Sequence, residues 1–212
     1  MLTIHHLGIS QSDRIIWLCE ELEIDYVLQK YDRDPATGAA PAAYKALTPF
    51  GTAPVIAHDA LVLGESGAII EYIIHRLGGG RLALTPSVAA YPNYLFWLHF
   101  ANSSLMSALM VEMIIPAIEP ANPDISEALR GRGNRAFGLV EQRLSDAPYF
   151  AGNEFTAADI IMAFPLTTMR LFVPREIAAY PKLKAYLAKI VERPAFQRAL
   201  AVGDPGFKPV ID

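Results

Sequence analysis

A proline turn and a glutamate–serine pair eleven residues further on have the types and spacing to bind a ligand. The turn is Gly51-Thr52-Ala53-Pro54, and Glu65-Ser66 opens an apolar helical pattern. A proline just before an apolar strand is often preceded by a cis peptide bond, which would leave the backbone N–H and C=O of Ala53 free to pair with a peptide. The helix start at Glu65 favours a carboxylate, because its N–H groups are unpaired there. The two segments predict a ligand with a peptide bond and a carboxylate.

The elements that must position these segments follow from the hydrophobic periodicity of the first 78 residues. Helical stripes and short apolar runs predict the order β-α-β-α-β-β-α, with a parallel first pair and a closing hairpin. A mixed four-stranded sheet with helices packed on it is a thioredoxin-like α+β domain, assigned to residues 1–78. The strands are expected at 2–6, 25–31, 55–58 and 61–63, and the helices at 12–23, 42–47 and 65–77.

Three glycines at 78–80 end this pattern, and residues 79–90 are predicted to form a linker. Residues 91–212 are expected to form an all-α helical-bundle domain. Its clearest local signal is the capping-box spacing of Thr156 and Asp159 at the start of a helix, which we interpret as a folding element. Its helical patterns cover residues 91–118, 124–145, 156–172, 178–191 and 194–202.

Composition excludes several classes of function. The net charge of −4 without basic runs disfavours nucleic acid and anionic membrane surfaces as partners. The apolar stretch 94–118 is broken by polar residues and predicts a buried helix, not a membrane span. Cys19 is the only cysteine, so no intramolecular disulfide can form, and the absence of a signal-like start predicts a cytoplasmic protein. The five histidines lack metal-ligand spacing, so no metal is expected.

Across essentially its whole length the chain resembles the cytosolic glutathione transferase family. Gly51-Thr52-Ala53-Pro54 is similar to the family's Gly-Lys/Gln-Val-Pro turn, Glu65-Ser66 to its Glu/Gln-Ser pair, and Phe155–Asp159 to its capping box in the sixth helix. Ser10 followed by Arg14 is similar to bacterial, fungal and plant members that use a serine where animal enzymes often use tyrosine. The resemblance rests on all these motifs in order.

The resemblance implies that glutathione binds the first domain as a co-substrate. Ser66 and the start of the third helix would bind the γ-glutamyl carboxylate, and Glu65 the γ-glutamyl ammonium. Ala53 would exchange two backbone hydrogen bonds with the cysteinyl unit, in the geometry set by a cis Pro54. Thr52 departs from the family's lysine or glutamine, which predicts weaker affinity for glutathione.

Ser10 is the predicted catalytic residue. Its hydroxyl would donate a hydrogen bond to the glutathione sulfur, which favours the thiolate and lowers the thiol pKa toward neutrality. Ser12 is the alternative donor, but it fits better as the N-cap of the first helix. Cys19 lies in the apolar stripe of that helix and is given no catalytic role. No Cys-x-x-Cys occurs at 10–13, so the protein has no dithiol of its own.

The second substrate would lie between the domains, with Asn102, Ser103 and Met106 as its candidate contacts; helix packing is the competing interpretation of these residues. Lys45 or Arg33 is available for the glycine carboxylate, although each is interpreted as a solvated surface charge. The resemblance also implies a homodimer.

Three functions are compatible with these residues. The first is conjugation of glutathione to a hydrophobic electrophile, with the rate gain coming from proximity and thiol ionisation. The second is glutathione-dependent reduction of a peroxide or disulfide, which needs the same thiolate. The third is a non-catalytic glutathione-transferase-like binding or scaffold protein, which the unusual Thr52 favours.

Overall fold

The computed structural model describes residues 1–212 and divides the chain into two compact units. The first unit comprises Met1–Ala83 and Val191–Lys208, and the second comprises Leu84–Ile190 and Pro209–Asp212. The break after Ala83 lies inside the predicted linker. The C-terminal region differs from the predicted division, because residues 191–208 belong to the first unit.

The first unit contains a four-stranded sheet in the order β2-β1-β3-β4. β1 is parallel to β2 and antiparallel to β3, and β3 is antiparallel to β4. The parallel pair needs a crossover, which the first helix supplies, whereas two residues suffice to join the antiparallel β3 and β4. The predicted mixed sheet is confirmed. Its strands are β1 (Leu2–Leu7), β2 (Val27–Tyr31), β3 (Val55–His58) and β4 (Leu61–Gly64).

Helices α1 (Asp13–Leu22), α2 (Ala42–Lys45) and α3 (Ser66–Arg76) follow in the predicted order. α3 buries the apolar stripe that its sequence period places on one face, and α1 does the same. The thioredoxin-like architecture is confirmed. The fully buried side chains of the two longer helices include Ile15, Ile16, Leu18, Ile69, Ile70, Ile73 and Ile74.

α10 (Pro194–Gly203) explains why the end of the chain returns to the first unit. The ring of Phe196 meets Trp17 edge to face with centroids 4.9 Å apart. On either side, Arg193 binds Glu21 at 2.6 Å and Arg198 binds Glu20 at 2.7 Å. These ion pairs are partly exposed to solvent and contribute about 1 kcal/mol each, so the apolar contact between α10 and α1 supplies most of the stabilisation.

The second unit is helical, as predicted, and its helices surround buried residues such as Phe137, Phe150 and Ile160. Short segments of 3₁₀ and π helix interrupt the longer patterns. The helices are α4 (Tyr91–Phe100), a π segment (Ala101–Met106), α5 (Ser107–Glu112), α6 (Ile115–Ile118), α7 (Pro123–Asp146), α8 (Ala157–Leu166), a 3₁₀ segment (Thr168–Leu171) and α9 (Pro181–Val191).

The stretch Tyr91–Ile118 is less buried than its sequence predicted. It is long and apolar enough to pass a composition test for a membrane span, as core helices of soluble proteins also do, and one third of its most apolar window is buried. Trp97 and Leu105 face the core, but Phe96 and Met110 are about half exposed. The prediction of a buried helix is therefore wrong for the outer face, which carries half-exposed apolar residues.

The capping box at the start of α8 is present, as predicted. The Asp159 carboxylate accepts the N–H of Thr156 at 2.9 Å, the N–H of Phe150 at 3.0 Å and the hydroxyl of Tyr186 at 3.0 Å. Burial raises the pKa of Asp159 to about 6, and these hydrogen bonds act against that rise. Asp159 therefore joins the helix start to a loop and to α9.

Candidate functional site

Three loops of the first unit emerge at the same end of the sheet. Val55, the first residue of β3, pairs with His5 near the end of β1 and with Gly64 at the end of β4. The turn before β3 therefore lies beside the loop that follows β1 and the one that follows β4. This register brings together the three segments that sequence analysis singled out. They are the Ser10 loop, the Ala53-Pro54 turn and the Glu65-Ser66 pair.

The Ala53–Pro54 peptide bond is cis, as the sequence predicted. Pro54 is buried, Ala53 is partly buried against a small core cluster of Leu7, Tyr44 and Val55, and Thr52 is exposed. The backbone N–H and C=O of Ala53 take no part in the sheet ladder or in the turn hydrogen bonds. They are free to pair with a ligand. Neither group makes a direct hydrogen bond to Ser10 or Ser66.

Glu65 and Ser66 begin α3 in an unusual conformation. Glu65 occupies the N-cap position with a φ of 72°, and its side chain is exposed and makes no capping hydrogen bond. A left-handed conformation in a residue other than glycine costs about 1 kcal/mol or more and occurs often at functional sites. Ser66 is 2% exposed. The first N–H groups of α3 are therefore not capped by Glu65, and they suit an anion.

Arg14 joins the first turn of α1 to the first residue of α3. Its Nη1 donates to Oγ of Ser66 at 3.3 Å and to Oε1 of Gln11 at 2.9 Å. Burial lowers the pKa of Arg14 to about 10, and the neighbouring Asp13 opposes that change. The guanidinium is still charged at neutral pH. A buried positive charge thus lies directly behind the serine predicted to bind a carboxylate.

Ser10 and Ser12 occupy different environments in the turn before α1. Ser10 is 5% exposed, and its hydroxyl accepts the N–H of Ser12 at 3.3 Å. Ser12 is fully buried at the N-cap position but makes no side-chain capping bond. Its hydroxyl lies instead 2.8 Å from Nδ1 of His6 and accepts the N–H of Leu7 at 3.2 Å. Ser12 therefore faces β1, and Ser10 is the more accessible hydroxyl.

The loop before Ser10 is held from both sides. Like Glu65, Ile9 has a positive φ, here 49°, although it is not a glycine. Its N–H donates to Asp204 at 3.1 Å. Arg33 donates from Nε to the carbonyl of Gly8 at 2.8 Å and from Nη2 to the carbonyl of Ile9 at 3.3 Å. The interpretation of Arg33 as a solvated surface charge is therefore wrong, because its guanidinium binds the backbone that positions Ser10.

The candidate contacts for a second substrate lie on the π segment of the second unit. Ser103 is exposed and donates to the carbonyl of His99 at 2.7 Å, and Met106 is 5% exposed. Asn102 is partly buried, and its carbonyl accepts the hydroxyl of Ser107 at 3.2 Å. Turns of π helix recur at functional sites. Of the three, Ser103 presents the most side-chain surface.

Other reactive groups are few. Cys19 is fully buried, and burial raises the pKa of its thiol to about 12, which keeps it protonated and unreactive. No group of three or more His, Cys, Asp or Glu side chains is arranged to hold a metal ion.

Sequence reasoning missed three residues that position the site. His6 and Asp204 contact the turn that carries Ser10 and Ser12, and Arg33 binds the preceding loop. Ile9 and its partner Asp204 are 195 residues apart, so no local spacing signals their contact. The buried strand position of His6 was visible in the sequence, but a lone histidine there carried no further information.

Comparisons with known proteins agree with this geometry. Residues 10–76 match the family described as "Glutathione S-transferase, N-terminal domain", and residues 103–194 match "Glutathione S-transferase, C-terminal domain". "Glutathione S-transferase 3" of Schizosaccharomyces pombe is 30% identical over 209 residues, covering 92% of this chain and 85% of the relative. The chain belongs to the glutathione S-transferase family.

Solved structures of this family share the fold. A glutathione S-transferase from Actinobacillus pleuropneumoniae is 33% identical, with a TM-score of 0.88 over 96% of this chain and 93% of its own. A sphingomonad glutathione S-transferase complexed with glutathione is 25% identical, with a TM-score of 0.74 over 95% and 98% of the two chains. Family membership carries with it glutathione transferase activity.

Proposed function

We propose that the protein binds glutathione at the end of the sheet where the three loops meet and ionises its thiol for attack on a hydrophobic electrophile. The observation that carries this proposal is the register of β3, which starts beside the ends of both β1 and β4. The Ser10 loop, the Ala53 backbone and the start of α3 thus lie at the same end of the sheet, and one small peptide is proposed to contact all three.

Each part of glutathione has a proposed partner. The γ-glutamyl carboxylate is bound by Ser66 and the first N–H groups of α3, with the Arg14 charge behind them. The exposed Glu65 binds the ammonium group. The cysteinyl unit pairs with the backbone of Ala53. Thr52, exposed and short, adds at most a hydroxyl contact, so the affinity for glutathione is expected to be modest.

Ser10 is proposed as the donor to the thiolate. Its hydroxyl lies at the start of α1, whose positive dipole end also favours an anionic sulfur. Glutathione then supplies the only reactive sulfur, because the Cys19 thiol is buried and protonated. The second substrate is proposed to contact the π segment at Asn102, Ser103 and Met106.

A second copy of the chain is the proposed partner, and the cytoplasm the proposed location. Apolar side chains are exposed on each unit: Phe50 is 80% exposed on the first, and Phe96 and Met110 are about half exposed on the second. A homodimer would remove such side chains from water. Molar mass by light scattering tests this assignment.

The test of the proposed function has three steps. The protein is passed over immobilised glutathione, the ultraviolet absorbance of bound thiolate is recorded from acid to alkaline pH, and activity is assayed with aryl halides, epoxides, hydroperoxides and disulfides. Retention, a thiolate signal near neutral pH and turnover of aryl halides or epoxides support conjugation. Turnover of hydroperoxides or disulfides alone supports the reductase alternative. Absence of retention and of thiolate supports a scaffold.

A further inference from the structure

A continuous line of polar contacts leads from solvent to the hydroxyl predicted to bind the thiol. This line comprises the side chains of Asp204, His6, Ser12 and Ser10. Oδ2 of Asp204 lies 3.2 Å from Nε2 of His6, and Nδ1 of His6 lies 2.8 Å from Oγ of Ser12. Oγ of Ser12 lies in turn 2.8 Å from Oγ of Ser10. All four residues belong to the first unit.

The line is buried along its length. His6 and Ser12 are 0% exposed and Ser10 is 5% exposed, whereas the Asp204 side chain is 14% exposed. Gly203 packs against the imidazole, since a Cβ atom there would be in van der Waals contact with Nε2 of His6 at 3.5 Å. Water is therefore excluded from the middle of the line, and protons can enter or leave only near its ends.

The charges around His6 set the direction of the hydrogen bonds. The Asp204 carboxylate faces Nε2 at ion-pair distance, although the contact is not aligned as a hydrogen bond, and its negative charge favours a proton on that nitrogen. Nδ1 of neutral His6, at 2.8 Å, then accepts the Ser12 hydroxyl proton in preference to the Leu7 carbonyl, which lies 3.3 Å from the same hydroxyl. The Ser12 oxygen accepts in turn from Ser10. In this resting direction the proton of Ser10 points away from a bound thiol.

A donor to the thiolate needs the opposite direction. Ser10 can donate to sulfur only if its oxygen accepts from Ser12, which requires Nδ1 of His6 to donate to Ser12. Because the Asp204 carboxylate favours a proton on Nε2, that arrangement requires both nitrogens of His6 to carry protons. The protonation state of His6 therefore determines, through the Ser12 hydroxyl, whether Ser10 can donate to sulfur.

We propose that Ser10, Ser12 and His6 form a proton relay that ionises the glutathione thiol, with Asp204 stabilising the charged histidine. The inference rests on the proposed function. The thiol proton passes to Ser10, the Ser10 proton to Ser12 and the Ser12 proton to Nδ1 of His6. One S–H bond breaks, one N–H bond forms, and a neutral thiol and imidazole become thiolate and imidazolium.

After the transfer, the hydrogen bonds of the line run in the opposite direction and stabilise the thiolate. Ser10 donates to the thiolate, Ser12 donates to Ser10, and His6 donates to Ser12. The arrangement makes Ser12 and His6 positioning residues that act through Ser10, which alone contacts the sulfur.

The other charges near His6 are compatible with this step. Asp13 and Asp204 both face the histidine, and Lys30 and Arg33 lie close to Asp204. Although burial acts to raise the pKa of Asp204, the His6 contact, the N–H of Ile9 and Lys30 hold it below its usual value. A cleft of about 330 Å³, lined by residues that include His6, Lys30 and Asp204, lies at the Asp204 end of the line, where the proton can leave after the thiolate has reacted.

The experiment compares thiolate formed with protons released when reduced glutathione binds. Calorimetry in two buffers of different ionisation enthalpy gives the released protons, and ultraviolet absorbance gives the thiolate. In the wild-type protein we expect fewer protons released than thiolate formed, because His6 keeps them. In His6→Gln the two amounts should be equal, and a thiol pKa that starts at about 7 should rise by about one unit, which lowers the thiolate at pH 7 about fivefold.

Ser12→Ala should show the same loss, and Ser12→Thr, which keeps the hydroxyl, should restore it in part. Ser126→Ala is the matched control, because Ser126 is equally buried but donates to the Asn122 carbonyl in the second unit. Circular dichroism verifies that each variant is folded. If Ser12→Ala does not fold, the comparison of His6→Gln with the wild-type protein is sufficient to test the relay.

Two results would overturn the relay. One is equal proton release and thiolate formation in the wild-type protein, and the other is unchanged thiolate in a folded His6→Gln protein. Either leaves the proposed function intact, since thiolate still forms. A wild-type protein that binds no glutathione or forms no thiolate would overturn both proposals, and the affinity column detects that case separately.

Discussion

Nη1 of Arg14 lies 3.3 Å from Oγ of Ser66, so one guanidinium links the first turn of α1 to the first residue of α3. The two residues are 52 positions apart in the chain. Both are buried, and the contact fixes the spacing between the helix start that is proposed to face the thiol and the helix start that is proposed to bind the γ-glutamyl carboxylate.

Ser66→Ala should weaken glutathione binding with little effect on chemistry. The variant removes a hydroxyl proposed to contact a carboxylate, so we expect the Kd for glutathione to rise about tenfold, corresponding to a loss of about 1.5 kcal/mol. Titration calorimetry measures the change, and Ser126→Ala provides a buried-serine control outside the first unit. An unchanged Kd would remove Ser66 from the binding site.

Ser10→Ala should separate chemistry from binding. We expect kcat with an aryl halide to fall about 10²-fold, because a donor to the developing anion is lost, while the Kd for glutathione changes less than about twofold. Steady-state kinetics and the thiolate absorbance test this pair of effects. Full conjugation activity in Ser10→Ala would show that another group, such as Ser12, is the donor.

Asp13→Asn should stabilise the protein at alkaline pH. Burial raises the pKa of Asp13 to about 7 in the folded state, Arg14 and His6 oppose that rise, and Asp204 adds to it. Because the folded pKa exceeds the unfolded value of 3.8, this group's contribution to stability is complete below about pH 4 and is lost as the pH rises through about 7.

The asparagine variant, which is always neutral, should therefore gain about 1–2 kcal/mol over wild type near pH 8 and little near pH 4, a value reduced for partial solvent access. Chemical denaturation at the two pH values measures the difference. Asp34→Asn is the control of opposite sign, because hydrogen bonds from Thr37 and Ala36 lower the pKa of that exposed carboxyl. A gain for Asp13→Asn that is equal at both pH values would contradict the assignment.

Asp159→Ala should lower stability without lowering affinity for glutathione. The substitution leaves the N–H groups of Phe150 and Thr156 and the Tyr186 hydroxyl without their acceptor, at an expected cost of about 3 kcal/mol. Urea unfolding and calorimetric titration on the same sample measure both quantities. A stable variant unable to bind glutathione would assign Asp159 to the site instead.

Local sequence signals predicted three local backbone features correctly. The cis Pro54, the helix start at Ser66 and the capping box of Asp159 each depend on a few adjacent residues, whose backbone preferences act over short range. The β-α-β-α-β-β-α order followed from periodicities of two and 3.6 residues for the same reason.

The contacts that position Ser10 could not be predicted in this way. Asp204 reaches Ile9 because α10 packs on α1, and Arg33 binds the Gly8 carbonyl because β2 lies beside β1. Both contacts are consequences of tertiary packing. The predicted all-α region also extended too far for this reason, since the amphipathic pattern of α10 does not reveal which surface buries it.

The return of α10 to the first unit has a consequence for the order of events during synthesis. Asp204 and Phe196 leave the ribosome long after Ile9 and Trp17, which they contact. Domains generally fold as they emerge, from the N-terminus onward. The first unit is therefore covalently complete only after the helices of the second unit have been synthesised, and a nascent chain released before α10 would lack the carboxylate that holds the Ser10 loop.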